Sequence, residues 1–195
     1  DPLLNRERLV NNVYDSVFYY GITEGFGINS PVFIRGSYKD LTKPVPRRFL
    51  SAVPVKDSVF RGEGSGRLSL ASSILDAENP LTARVMVNRI WHHVFGRGIV
   101  ETVDNFGLQG KLPTHPELLD FLAIKFQKEG WSTKKMVKYM VMSEAFRRSV
   151  TVPEEVRKVD PDNLLLTHYP MRRLEAEDVR DALLAISGRL DTMMF

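Results

Sequence analysis

Between Asn79 and Asp120 the chain concentrates residue types that can do chemistry: Arg84, Asn88, Arg89, Trp91, His92, His93, Asp104, His115 and Glu117. Arg84, Asn88, Trp91 and Phe95 stand four, three and four apart, so on a helix they share one face. A guanidinium and an amide beside an indole would suit an anion. The same spacing makes a structural clamp, in which Arg84 binds a carboxylate such as Glu177 or Asp181 and Asn88 ties down a loop. Buried charges require pairing, so the clamp is the favoured expectation. The alternative is a hydrolase-like cleft built from Arg84, Asn88, His93, Asp104, His115, Arg172 and Glu177. General acid–base work would need at least two of these within reach of one bound atom.

His92, His93 and His115, with Asp104 and Glu117, are metal-ligand types, but the spacing is poor. Adjacent helical residues diverge by about 100°, and a helical metal site prefers i, i+4. No metal is expected. Gly62-Glu63-Gly64-Ser65-Gly66 has the form of a nucleophile elbow, yet neither the preceding strand nor the following helix is read there, so it is taken as a turn. It also lacks the Gly-Lys-Ser/Thr ending of a phosphate loop. Asp104-Asn105-Phe106-Gly107 reads as an Asx-type turn.

The elements that position these residues follow from punctuation and periodicity. Val10, Val13, Tyr14 and Val17 predict a helix over residues 3–20, ended by Gly21. Residues 22–78 form an extended arm rich in Gly and Pro, with a short strand at Ser30–Gly36 and a short helix or turn at Leu68–Asp76. Residues 79–195 are read as a helical domain. Asn79 and Pro80 are expected to start its first helix, which runs to Phe95 and stops at Gly96. Thr114-x-x-Glu117 predicts a capping box for the next helix, whose inward face is Leu119, Leu122, Ala123 and Phe126. Ser132 caps a third, with Met136, Val137, Met140 and Val141 inward; the short Gly130-Trp131 link predicts that these two helices pack together. Residues 151–163 are read as a linker. Leu174–Ser187 is the last helix, with Val179, Leu183 and Ile186 inward. Its charges, Arg173, Glu177, Arg180 and Asp181, read as a salt-bridge network. The fold expected is mainly α, about five helices with a long irregular arm and little or no β.

Composition narrows the function classes. With 43% apolar residues in 195, a sizeable core is possible, and no apolar run approaches the ~20 residues of a membrane span. The absence of cysteine excludes disulfides, thiolate catalysis and cysteine-held zinc or haem within this chain. The net charge is +3. From Arg35 to Arg67, eight basic residues oppose three acids, a local excess of five that could attract a polyanion. The aromatic residues of this stretch are not interleaved in a way suited to stacking on bases, so nucleic acid is not expected. The chain starts at Asp1, without an initiator Met, and stops just after a helix, which reads as a piece of a longer parent truncated at its C-terminus.

Several strings carry a family resemblance. These are Leu81–Trp91, His93, Phe95-Gly96-Arg97-Gly98, Asp104 with Phe106-Gly107, Thr114–Asp120, Met142-Ser143 with Phe146-Arg147, and Arg172–Glu177 through Arg180–Ala185. Together they resemble the planctomycete PSD-type domain, number fifteen fifty-three among domains of unknown function. It forms the C-terminal domain of planctomycete cytochrome-c-like proteins. Phe33–Gly36 and Val45-Pro46 with Phe49-Leu50-Ser51 resemble its upstream approach. The chain departs from the family pattern at His92, where Gln is usual, at Val94, where His is usual, and at Arg47-Arg48. The resemblance implies a large exported parent in the periplasm or cell envelope, with haem only in an upstream region and no cofactor held here. Expected partners are upstream domains of the same protein, or a redox or polysaccharide-processing protein. The resemblance brings no catalytic residues with it.

Overall fold

The computed structural model describes residues 21–23, 25–56, 59–60 and 64–193. The helix expected at residues 3–20 lies outside them. The chain divides into two compact units, the first within Asp1–Ala52 and Lys56–Ser73, the second Val53–Val55 with Ile74–Phe195.

In the first unit, β1 (Pro31–Phe33) pairs antiparallel with β2 (Leu41–Pro44), Pro31 opposite Pro44 and Phe33 opposite Leu41, with an irregular register between. Pro31 opens its strand, a position that a residue without an N–H tolerates. The chain reverses through a tight turn in which Arg35 and Gly36 have φ of 53° and 77°. Beyond the sheet, arginines hold the irregular backbone. Arg47 donates from its guanidinium to the Gly64 carbonyl and from its backbone N to Asn29 Oδ1 (3.2 Å). Arg67 donates to the Thr23 carbonyl (2.5 Å). A Cβ at Gly27 would fall on the Gly64 carbonyl and the Arg47 guanidinium, so the close approach requires glycine there. Helix α1 (Arg67–Ile74) follows, where a short helix or a turn is expected over Leu68–Asp76.

The core of the second unit is three helices: α2 (Thr82–Phe95), α3 (Pro116–Lys128) and α4 (Thr133–Val141). Helix α2 packs against both of the others. Val87, Trp91 and Phe95 from α2, Leu122 and Phe126 from α3, and Met136 and Met140 from α4 form one buried cluster. Each fully buried apolar side chain contributes about 1.5–3 kcal/mol. The predicted inward face of α3 is all buried, whereas on α4 Val137 is exposed and Val141 half-buried. Helices α3 and α4 meet through Phe121 and Tyr139, ring centroids 6.3 Å apart, with the Lys125 ammonium 4.5 Å from the Tyr139 ring. Gly130 and Trp131, both at positive φ, make the turn between them.

Several helix ends differ from the sequence expectation. Helix α2 begins at Thr82, not Pro80, because Asn79 spends its amide on Ile74 O (3.1 Å) and its Oδ1 on Leu81 N (3.0 Å), closing a turn before the helix. The Thr114 capping box does not form. Its hydroxyl donates to Ile99 O (3.3 Å), and His115 occupies the N-cap without a side-chain cap bond. Ser132 does cap α4, accepting from Lys135 N. The linker contains a short helix, α5 (Glu154–Val159). The last helix, α6 (Ala176–Ile186), buries nothing: Val179, Leu183 and Ile186 are 45%, 64% and 86% exposed. The expected inward face of α6 has no partner among the described residues.

Candidate functional site

Asn88 is fully buried, and its amide closes a two-way clamp. Nδ2 donates to Val100 O (2.9 Å) and Oδ1 accepts from Val100 N (2.8 Å). This is the loop tie expected of it. The clamp presses the Gly96–Val100 loop onto α2 so closely that a Cβ at Gly98 would meet Asn88 Nδ2 at 2.9 Å and strike the Val100 carbonyl. Gly96, at φ 82°, caps α2 in the left-handed conformation. Two glycines and one buried amide therefore fix the loop.

That loop forms one wall of a cavity of about 280 Å³. Trp91, Phe95 and Ile99, all buried, lie beneath it. Thr114 and His115 form a second side, and the segment Asp162–Arg172 the third. This segment is strapped down by polar bonds that sequence reasoning missed. Buried Asp160 accepts from Leu164 N (2.7 Å) and Leu165 N (2.9 Å). Asn163 Nδ2 donates to His168 O, Tyr169 Oη to Val94 O (3.0 Å), and Arg148 to Leu166 O (2.5 Å). Asn163 and Leu166 sit at φ of 49° and 54°, a region that costs a bulky residue energy and is held only by such bonds. The Asp-Pro-Asp-Asn run at 160–163 was the available signal, since Asp and Asn side chains bond their own backbone a few residues on.

The residues singled out by sequence fall in several places. His115 and Arg172 both line this cavity; Arg84, Asn88, His93, Asp104 and Glu177 do not. Arg84 pairs with Asp120 (2.6 Å) and with Pro80 O (2.5 Å), not with Glu177 or Asp181. The helix face that bears Arg84 meets α3, which supplies the carboxylate. The pair is only half-buried, with side chains 33% and 49% exposed. The hydrogen bond from the Arg84 guanidinium, opposed by burial and helped by a smaller effect of the arginine's charge, holds the Asp120 carboxyl below the usual aspartate range. Asp104 pairs with Arg89 (3.0 Å) at the surface, and His93 and Glu177 are exposed. On α6, Arg180 pairs with its neighbour Asp181 (3.2 Å), the one ion pair of the expected network among the described residues. His92 Nδ1 is buried without a hydrogen-bond partner. Asn105 Oδ1 accepts from Gly107 N, the turn expected. Among the described residues, no three His, Asp or Glu gather as a metal would need.

At the cavity, then, the structure places two cations (Arg97 and Arg172), one imidazole and one carboxylate (Asp162) around an apolar floor. Such an arrangement can orient a small polar group over an apolar body. No curated protein and no solved structure matches the chain. A family model does, over residues 66–195, the greater part of the chain, with α1 to α6 inside it: the chain belongs to the PSD1 family, described as a protein of unknown function (DUF1553).

Proposed function

We propose that this chain is a non-catalytic docking module of a larger exported, cytochrome-c-linked planctomycete protein of the cell envelope, with haem in an upstream region. The observation that carries the docking reading is α6. An isolated helix of 11 residues is marginal in water, and its stability in proteins comes from packing its apolar face. Here that face, Val179, Leu183 and Ile186, is open to solvent. A helix patterned in this way is patterned for a partner, and the upstream domains of the parent are the partner this reading names. The basic first unit supports a polyanion role less well, since Arg47 and Arg67 spend hydrogen bonds on backbone carbonyls. The hydrolase reading draws on the one cavity that brings His115 and Arg172 together, while its other members lie elsewhere.

The test is a photo-reactive side chain placed at Leu183 in the parent protein, in its own cells. Cross-links from α6 into another segment of the parent, or into a haem-bearing partner, are the expected result. An α6 that yields no cross-link while the protein is intact and exported would overturn the proposal.

A further inference from the structure

The cavity beside α2 has a feature that docking does not use. Arg97 is committed, pairing with Glu101 (3.1 Å) and donating to Asp162 O (3.5 Å). Arg172 makes no ion pair among the described residues, and its stem lies over Gly96, where a Cβ would come within 3.7 Å of its Cδ. His115 spends Nδ1 on Thr114 Oγ1 (3.0 Å), and Nε2 has no partner among the described residues. An uncommitted guanidinium and an open imidazole nitrogen thus border a floor of Trp91, Phe95 and Ile99. The remaining walls include Leu164 and Leu166.

A second cavity, of about 320 Å³, lies against Leu118, Leu122, Tyr139, Met140 and Met142. It shares Trp91 and Leu166 with the first, so those two side chains stand between the polar-rimmed space and a nearly all-apolar one. Methionines and leucines make the second space adaptable to a flexible apolar chain. The first, at about 280 Å³, lies just below the ~300–1,000 Å³ typical of ligand pockets, which sets a small ligand.

We propose that this site binds a medium-chain alkyl carboxylate. Its carboxylate would lie on the Arg172 guanidinium with His115 beside it, and its chain would run against Leu164, Leu166 and Trp91 toward the second cavity. Asp162, the only carboxylate lining the first cavity among the described residues, meets Arg97 through its backbone carbonyl. The guanidinium fork sets two parallel N–H donors against the two oxygens of a carboxylate. The proposal does not depend on the docking role of α6.

The probe is sodium octanoate, titrated into isotope-labelled protein and read at the Trp91 indole N–H resonance. A Trp131→Phe variant separates Trp91 from the other tryptophan. The expected result is a saturable shift, weakened about tenfold or more in Arg172→Gln, the scale of one charge-assisted hydrogen bond. Octylammonium and 1-octanol should bind about tenfold or more weaker than octanoate on the same scale. Arg172 is exposed, so Arg172→Gln should keep the parent's urea midpoint. No shift with octanoate, equal binding by Arg172→Gln, or tighter binding of octylammonium would each overturn the assignment; the last would move the anchor to Asp162.

Discussion

Helices α2 and α6 have the same kind of apolar spacing and opposite fates. Along α2, Ala83, Val87, Ile90, Trp91 and Phe95 are all buried, together with Asn88. Along α6, no residue is buried at all. The difference lies in what faces each helix. Helix α2 meets α3 and α4, while α6 meets no comparable surface among the described residues. Periodicity states that a helix has an apolar side; it does not state where the covering surface is found. A stripe at i, i+4, i+7 in Val179, Leu183 and Ile186 is as regular as the one in α2, and the folding of this chain leaves it open.

The contrast can be broken from the α2 side first. Phe126→Ala removes a side chain 2% exposed from the centre of the three-helix cluster and should cost about 3–5 kcal/mol, measured as a shift in the urea transition. Asn88→Ala strands both the Val100 N–H and its carbonyl in the core, and about 2–4 kcal/mol should be lost. A loss below about 1 kcal/mol would mean that the clamp is satisfied by water and does not fix the loop.

Arg84→Ala tests the rim of the same helix. The half-exposed pair with Asp120 should contribute only about 0.5–1 kcal/mol, far less than a buried pair. The sign with pH follows from the lowered Asp120 carboxyl. Its stabilising share is present above the ordinary aspartate range and fades as pH falls through the lowered folded-state value. Asp120→Asn should therefore remove that part of the acid dependence, as seen in urea midpoints between neutral and acid pH.

The smallest effect belongs to α6. Replacing Val179, Leu183 and Ile186 together by Ser should leave the urea midpoint within about 0.5 kcal/mol of the parent, because exposed sites carry little of the fold. A loss above about 1.5 kcal/mol would show that the stripe is packed in solution, and the comparison with α2 would collapse.

The three-helix core was legible because its signals are local. Leu119, Leu122, Ala123 and Phe126 repeat at helical spacing, and Gly96, Gly130 and Gly188 stand at positive φ where their helices end or turn. The Asn88 clamp was legible because a buried amide near a glycine-punctuated loop has few partners open to it. The partner of Arg84 was not. Glu177 and Asp181 offered carboxylates on a charged helix, while Asp120 lay on α3, and choosing between them required knowing which helix faces α2. The Thr114 cap failed for a related reason. The folded loop holds Thr114 through its N–H (2.9 Å) and its hydroxyl (3.3 Å) on Ile99 O, so the helix starts one residue later, with His115 at the N-cap and Thr114 outside it. The strap over the cavity rests on contacts as distant as Tyr169 to Val94, which no local pattern encodes.

The Asn88 clamp also makes a clock. Val100 N–H is donated to a side chain with 0% exposure, in a loop where no helical hydrogen bond holds it. Its exchange with deuterium can proceed only when α2 and the loop part, which is nearly the same event as unfolding the core. A single loop amide would then exchange as slowly as the amides at the centre of α2, and its rate would give the stability of the whole helical cluster without any denaturant.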